Sequence, residues 1–293
     1  VIGSDQGLAS SPTTVNRLLS EPGSRYDVIV DFSRVSPGNR VIMANFGGDE
    51  PFGGDIPGPQ VFGETDRVMA FDVVRSLNRS VPDVSPTGIN FGPNVGTPNR
   101  LRKVALFEGK DEFGRLQPLL GTAEPSTDCK GKPVYWPSTA PYAKAGLVGQ
   151  MEGALPWHSP TTENPALGST EEWEIWNATG DGHPVHLHLV HFEVLGREEI
   201  KWDSATTEDD RVLDPTGATA PSPNGDGTYL VNQPVVQHNG AVGMGFKFAN
   251  LTYGPPVPEL EGYVENAPKD MVTALPGQIT RIKATFDKPG RYV

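Results

Sequence analysis

A chain of 293 residues is longer than one small β-domain requires and long enough for about two, each with a core of its own. Its 36 acidic against 24 basic residues give a formal charge of −12, and no Lys/Arg run supplies the electrostatic footprint that phosphate binding needs, which argues against nucleic acid as a partner. No apolar stretch approaches the ~18 to 20 residues of a membrane span, and 34 Gly and 29 Pro between short apolar runs are the composition of an all-β protein with many turns.

The chain opens on Val1-Ile2-Gly3 without an initiator methionine or visible signal peptide and closes on Gly290-Arg291-Tyr292-Val293 in a strand-like run, so both ends read as cuts. Three strands are predicted in residues 1–75: Arg25 to Phe32, Arg40 to Asn45 and Arg67 to Val74, with a turn at Pro37-Gly38-Asn39. Residues 76–101 are rich in Pro, Gly, Ser and Asn and read as an interdomain linker. A second domain is expected over 102–293, with strands at Lys103 to Glu108, Glu171 to Asn177, Val185 to Leu195 and Gln278 to Phe286. Residues of about 198–268, acidic and then Gly/Pro-rich, read as a long excursion from it.

Cys129 is the only cysteine, which rules out an internal disulfide or a cysteine metal cluster, and its setting among loop formers makes it a bystander. Asn78, Asn177 and Asn250 each begin an N-x-[ST] triplet, a pattern common enough by chance to carry no weight. No phosphate-binding glycine loop, serine nucleophile elbow or zinc-protease helix is present.

Four of the six histidines fall within nine residues, at His183, His186, His188 and His191. On a strand, His186 and His188 project from one face with Cα atoms roughly 6.5 to 7 Å apart, able to serve two adjacent metal ions or one. His183 lies an odd number of positions from His186 and faces the other side, and Pro184 removes a ladder donor at the entry. His183 therefore suits a different centre. His191 points away from the pair and reads, like the isolated His158 and His238, as a packing or surface residue. A lone His-x-His is often coincidence, but neutral imidazoles seldom cluster this densely without ligating copper, zinc or iron.

The segment His183-Pro184-Val185-His186-Leu187-His188-Leu189-Val190-His191-Phe192 resembles the third copper-binding motif of multicopper oxidases, in the branch of spore-coat laccases, bilirubin oxidases and phenoxazinone synthases. Arg25 to Phe32 is similar to a strand of that family's middle domain, and Asp111 to Arg115 to the opening of its last domain. Trp157-His158 through Trp173 resembles the approach to the copper strand, and Lys269-Asp270-Met271-Val272 the stretch leading to the family's final Trp-His-Cys-His motif. The resemblance implies cupredoxin-like Greek-key barrels, with 1–75 the later part of a middle domain and 102–293 a last domain lacking its final copper-binding strand. It implies His183 as a type 1 copper ligand, His186 as a type 2 ligand and His188 as a type 3 ligand. It further implies an extracytoplasmic oxidase that couples one-electron oxidation of a phenolic, aminophenolic or bilirubin-like substrate to reduction of dioxygen to water.

The type 1 cysteine, its flanking histidines and the axial methionine have no counterpart here, nor do the paired His-x-His motifs of the family's first domain. The segment alone is accordingly expected to be inactive, to bind copper weakly and to lack intense blue absorption. Two alternatives stand beside this reading. One is a non-catalytic copper-binding β-sandwich. The other is a cupin, for which Gly180, His186-x-His188 and Glu193 have the first-motif spacing, although Ile200 stands where that motif closes on glycine and no second motif follows.

Overall fold

The computed structural model describes residues 1–49, 51–76, 78–80, 85–110, 116–139, 142–143, 147–155, 157, 159–202, 212–213, 247–248 and 251–292. His158 and His238 lie outside the described residues, as does Asp111 to Arg115. The strands in chain order are β1 (Gly3–Ser4), β2 (Gly7–Leu8), β3 (Tyr26–Asp27), β4 (Arg40–Ala44), β5 (Arg67–Asp72), β6 (Arg100–Lys110), β7 (Leu116–Thr122) and β8 (Gly153–Leu155). They continue with β9 (Thr170–Asn177), β10 (His183–His186), β11 (Phe192–Trp202), β12 (Val212–Leu213), β13 (Lys247–Phe248), β14 (Leu251–Val257), β15 (Met271–Ala274) and β16 (Gln278–Thr285). The fold class is all-β. A short 3₁₀ turn forms at Pro86–Gly88.

Seven strands form one sheet in the order β14-β11-β16-β9-β6-β7-β8, antiparallel except for the parallel pair β6 and β9. β10 and β15 form a separate antiparallel pair in which His183 faces Ala274 and His186 faces Met271. The main core lies between these two layers. Val104, Ile175, Phe192, Ile282 and Ala284 come from the large sheet, and Val272 and Ala274 come from β15. Val185 and Leu187 pack on the same cluster. The histidine strand is thus held by its apolar alternate positions, which leaves Pro184, His186 and His188 on the exposed side.

The expected strand from Val185 to Leu195 is broken. β10 ends at His186 and β11 begins at Phe192, because the chain leaves the small sheet here and enters the large one. A three-residue turn makes the crossing: Val190 N–H donates to the His188 carbonyl at 2.9 Å with Leu189 at φ 69°. That conformation is unusual for a branched side chain and is held by the packing on either side. The strand expected over Arg25 to Phe32 is likewise only the pair Tyr26–Asp27, since β3 finds a ladder partner in β1 for just those residues.

The first 27 residues lie against the far end of the chain. Gln6 N–H donates to the Pro268 carbonyl, Ser10 N–H to that of Asn266 and Leu19 N–H to that of Gly262. Phe52 reaches the loop before the histidines, where its carbonyl accepts from Gly182 N–H. A Cβ at position 182 would stand 2.7 Å from that oxygen, so the approach requires glycine.

Inside the large sheet, Arg102 on β6 and Glu171 on β9 are only 3% and 2% exposed and meet through two hydrogen bonds of 2.9 and 3.1 Å. Trp173 Nε1 donates to the same carboxylate, and the guanidinium lies over the Trp173 ring. Glu171→Leu strands a buried cation and should cost about 3–5 kcal/mol. The Arg102→Leu, Glu171→Leu double variant should recover much of that loss, as read from urea unfolding midpoints. A single variant no less stable than the double would contradict this account of the pair.

Candidate metal centre

Three imidazoles define the site, and the loop that delivers them is organised before the first of them. Asn177, fully buried at the end of β9, donates from Nδ2 to the carbonyls of Asp181 and Ala274, each at 2.8 Å. Its Oδ1 accepts Thr179 N–H at 2.9 Å. One side chain therefore fixes the 178–182 loop at both ends and ties it to β15. Thr179 Oγ1 contacts His183 Nε2 at 2.6 Å and the Asp181 carbonyl at 3.0 Å.

His183 is half-buried on the core side, and burial pushes its pKa below the ordinary histidine value, against a smaller opposing pull from Asp181. Burial thus favours the neutral imidazole, the form that can act as a donor ligand. His186 and His188 stand on the exposed side, as the alternation predicted for His186, with ring centroids 4.8 Å apart and the rings edge to face. His188 belongs to the crossing turn, so the pair is brought together by the end of β10 and the bend after it. His191 is exposed, in accord with a surface role. An open depression of about 440 Å³ is lined by Gln6, His186, His188, Leu189, Asp270 and Tyr292, among others.

His186 Nδ1 lies 2.8 Å from the Asp270 carbonyl oxygen, which can only accept. Nδ1 therefore carries the proton, and Nε2 keeps the lone pair a metal would use. Asp270 is in turn gripped by its carboxylate. Arg25 donates to it from both terminal nitrogens at 2.6 and 2.7 Å, and Gln6 Nε2 donates at 2.5 Å. Asp5 Oδ2 accepts the backbone N–H groups of Asp270 and Met271 and lies 3.3 Å from the buried Lys269 ammonium, which sits over the Tyr26 ring. None of Asn177, Thr179, Asp5, Arg25 or Asp270 announces this role in the sequence. Asp5 and Asp270 are separated by more than 260 positions.

Among the described residues no three His, Cys, Asp or Glu side chains converge as a closed metal site. Cys129 is exposed in the turn whose backbone meets Arg100. The Glu193 carboxylate, which a cupin would need beside His186 and His188, sits on β11 paired with Lys283 at 2.9 Å. The three histidines thus form a partial and divided ligand set, one imidazole on one side of β10 and two on the other.

The family model for multicopper oxidases matches residues 136–232, a span that contains all three. A laccase from Bacillus subtilis (strain 168) is 30% identical over 296 residues, covering 100% of this chain and 42% of that protein. The chain is a relative of the multicopper oxidases. The multicopper oxidase LPR1 of Arabidopsis thaliana is 29% identical over 72% of this chain and 32% of its own length. The bilirubin oxidase of Albifimbria verrucaria is 28% identical over 67% of this chain and 28% of its own. The chain therefore spans well under half the length of these multicopper oxidases.

Burial opposes the charge of Asp270, but the hydrogen bonds from Arg25 and Gln6 outweigh it and hold the carboxyl below its usual range. With its folded pKa below the unfolded one, Asp270 contributes stability that is present above ~pH 4 and is lost as the pH falls through the folded value. Asp270→Asn should cost about 1–2 kcal/mol near neutrality, a figure reduced for the half-exposed Arg25. The difference from wild type should shrink as the solution is acidified to about pH 3. Thermal unfolding across that range checks it, and a difference independent of pH would contradict it.

Proposed function

We propose that the chain is part of a multicopper oxidase that couples one-electron oxidation of a small reducing substrate to reduction of dioxygen to water. The observation that carries this reading is the split of His183 from the pair His186 and His188 across β10, within a segment matched by the multicopper-oxidase family model. His183 is the type 1 copper ligand, His186 the type 2 ligand and His188 a type 3 ligand, each centre being completed by residues that the described chain does not supply. Copper, when bound, supplies a one-electron acceptor and an oxygen-reducing cluster.

The residues fit that use. Among the described residues His183 Nδ1 and His186 Nε2 make no hydrogen bond, while the two exposed rings stand close enough to face neighbouring ions. The work of this chain is positional. Asn177 and Thr179 hold His183, and Asp270 orients His186 through its carbonyl oxygen. The core beneath β10 keeps the strand from rotating. Residues 1–75 belong to a middle domain, 76–101 to a linker and 102–293 to a last domain. The relatives named laccase and bilirubin oxidase support phenolic, aminophenolic or bilirubin-like reductants. An extracytoplasmic location accords with that chemistry. Among the described residues no helix is long and apolar enough to cross a membrane.

The test is oxygen uptake by the protein encoded by the whole reading frame, loaded with copper and given a simple phenol. Uptake is expected, and His183→Ala and His186→Ala should each lower it by more than ~100-fold, beyond what loss of an outer partner of a ligand costs. Full activity in either variant would overturn the assignment.

A further inference from the structure

We propose that Thr179 is a positioning residue that locks His183 in the Nε2–H tautomer and so leaves Nδ1 as its metal-facing nitrogen. The inference deepens the ligand reading of His183 and rests on it for its consequence, but not for the tautomer itself.

One short chain of contacts fixes where each proton sits. The Asp181 carbonyl accepts Asn177 Nδ2 at 2.8 Å and lies 3.0 Å from Thr179 Oγ1. A carbonyl oxygen has no proton to give, so the hydroxyl proton of Thr179 points at it. The hydroxyl has only that one proton. Its oxygen therefore meets His183 Nε2, 2.6 Å away, as an acceptor, and the proton between them sits on the imidazole. Asp181 N–H at 3.3 Å is a second, longer donor to the same oxygen.

The opposite arrangement, with Thr179 donating to Nε2, would leave two oxygens 3.0 Å apart with no proton between them. It would also move the imidazole proton to Nδ1, which has no hydrogen-bond acceptor among the described residues. Only the first arrangement uses every contact.

His186, three positions along the same strand, is set the other way. Its Nδ1 faces the Asp270 carbonyl at 2.8 Å and carries the proton, leaving Nε2 with the lone pair. Backbone carbonyls thus fix both rings in opposite senses, directly for His186 and through the Thr179 hydroxyl for His183. On opposite faces of β10, the two rings thus present different lone-pair nitrogens, Nδ1 of His183 and Nε2 of His186. They do so before any metal arrives.

The experiment is a two-bond ¹H–¹⁵N correlation spectrum of the metal-free 293-residue chain labelled at histidine, recorded about one pH unit above the ordinary histidine pKa of ~6.5. His183 should show Nε2 as the protonated nitrogen and Nδ1 as the lone-pair nitrogen, and His186 should show the reverse. Thr179→Val, of equal size but without the hydroxyl, should convert His183 alone to averaged tautomer shifts, and Thr179→Ser should keep the wild-type pattern.

Protonated Nδ1 at His183 in the wild type, or an unchanged pattern in Thr179→Val, overturns the proposal. If the valine variant fails to fold, the wild-type assignment still decides, because a proton on Nδ1 is incompatible with the relay. Copper(II) added to the whole-frame protein then separates the two claims. Broadened His183 signals are expected. The lock without broadening would leave Thr179 in its role and refute His183 as a ligand.

Discussion

The position of the histidines depends on how Asp270 is seated. Its carbonyl oxygen orients His186, its carboxylate is held by Arg25 and Gln6, and its N–H bonds to Asp5. Two acids and two bases, Asp5, Asp270, Arg25 and Lys269, meet in a cluster that is neutral as a whole. Asp5 and Lys269 are almost wholly covered. Such a cluster is costly to desolvate and adds little net stability relative to an apolar replacement, but it tolerates few alternative arrangements. What it fixes is position. It ties the first 27 residues to the strand that pairs with β10, so the exposed imidazoles are placed by groups from both ends of the chain.

The second constraint is the crossing between sheets. β10 belongs to the small sheet and β11 to the large one, and the five residues between them carry the chain over the edge of the core. Val185 and Leu187 are anchored beneath the turn and Phe192 is fully buried just past it. His188 therefore stands on a bend whose two ends are both pinned, and the strained φ of Leu189 persists because neither end can relax. A regular strand through this region would have set the His186 and His188 side chains in parallel. The bend turns them edge to face.

Much of this was legible in the sequence. Alternation alone separated His183 from His186, and strands β4, β6, β9 and β16 lie where their apolar runs predicted them. The crossing turn was not legible, because Leu187 to His191 contains no glycine, proline or asparagine to mark it. β7 and β14 are hidden for the converse reason: Pro118 and Gly121 in one, and Gly254, Pro255 and Pro256 in the other, interrupt the strand pattern. β14 tolerates its prolines because it is the outermost strand of the large sheet. Gly121 is required where a Cβ would collide with the Gly153 carbonyl oxygen. Arg25 and Asp270 could not be paired by inspection, since nothing local links charges 245 positions apart.

The central claim is that the histidines on the two sides of β10 serve different metal ions. Anomalous diffraction at the copper edge, from crystals of the copper-loaded whole-frame protein, tests it most directly. The account predicts one copper peak beside Nδ1 of His183 and separate copper density beside His186 and His188 on the opposite side of the strand. A single peak shared across the strand, or copper at the pair with none at His183, would contradict it.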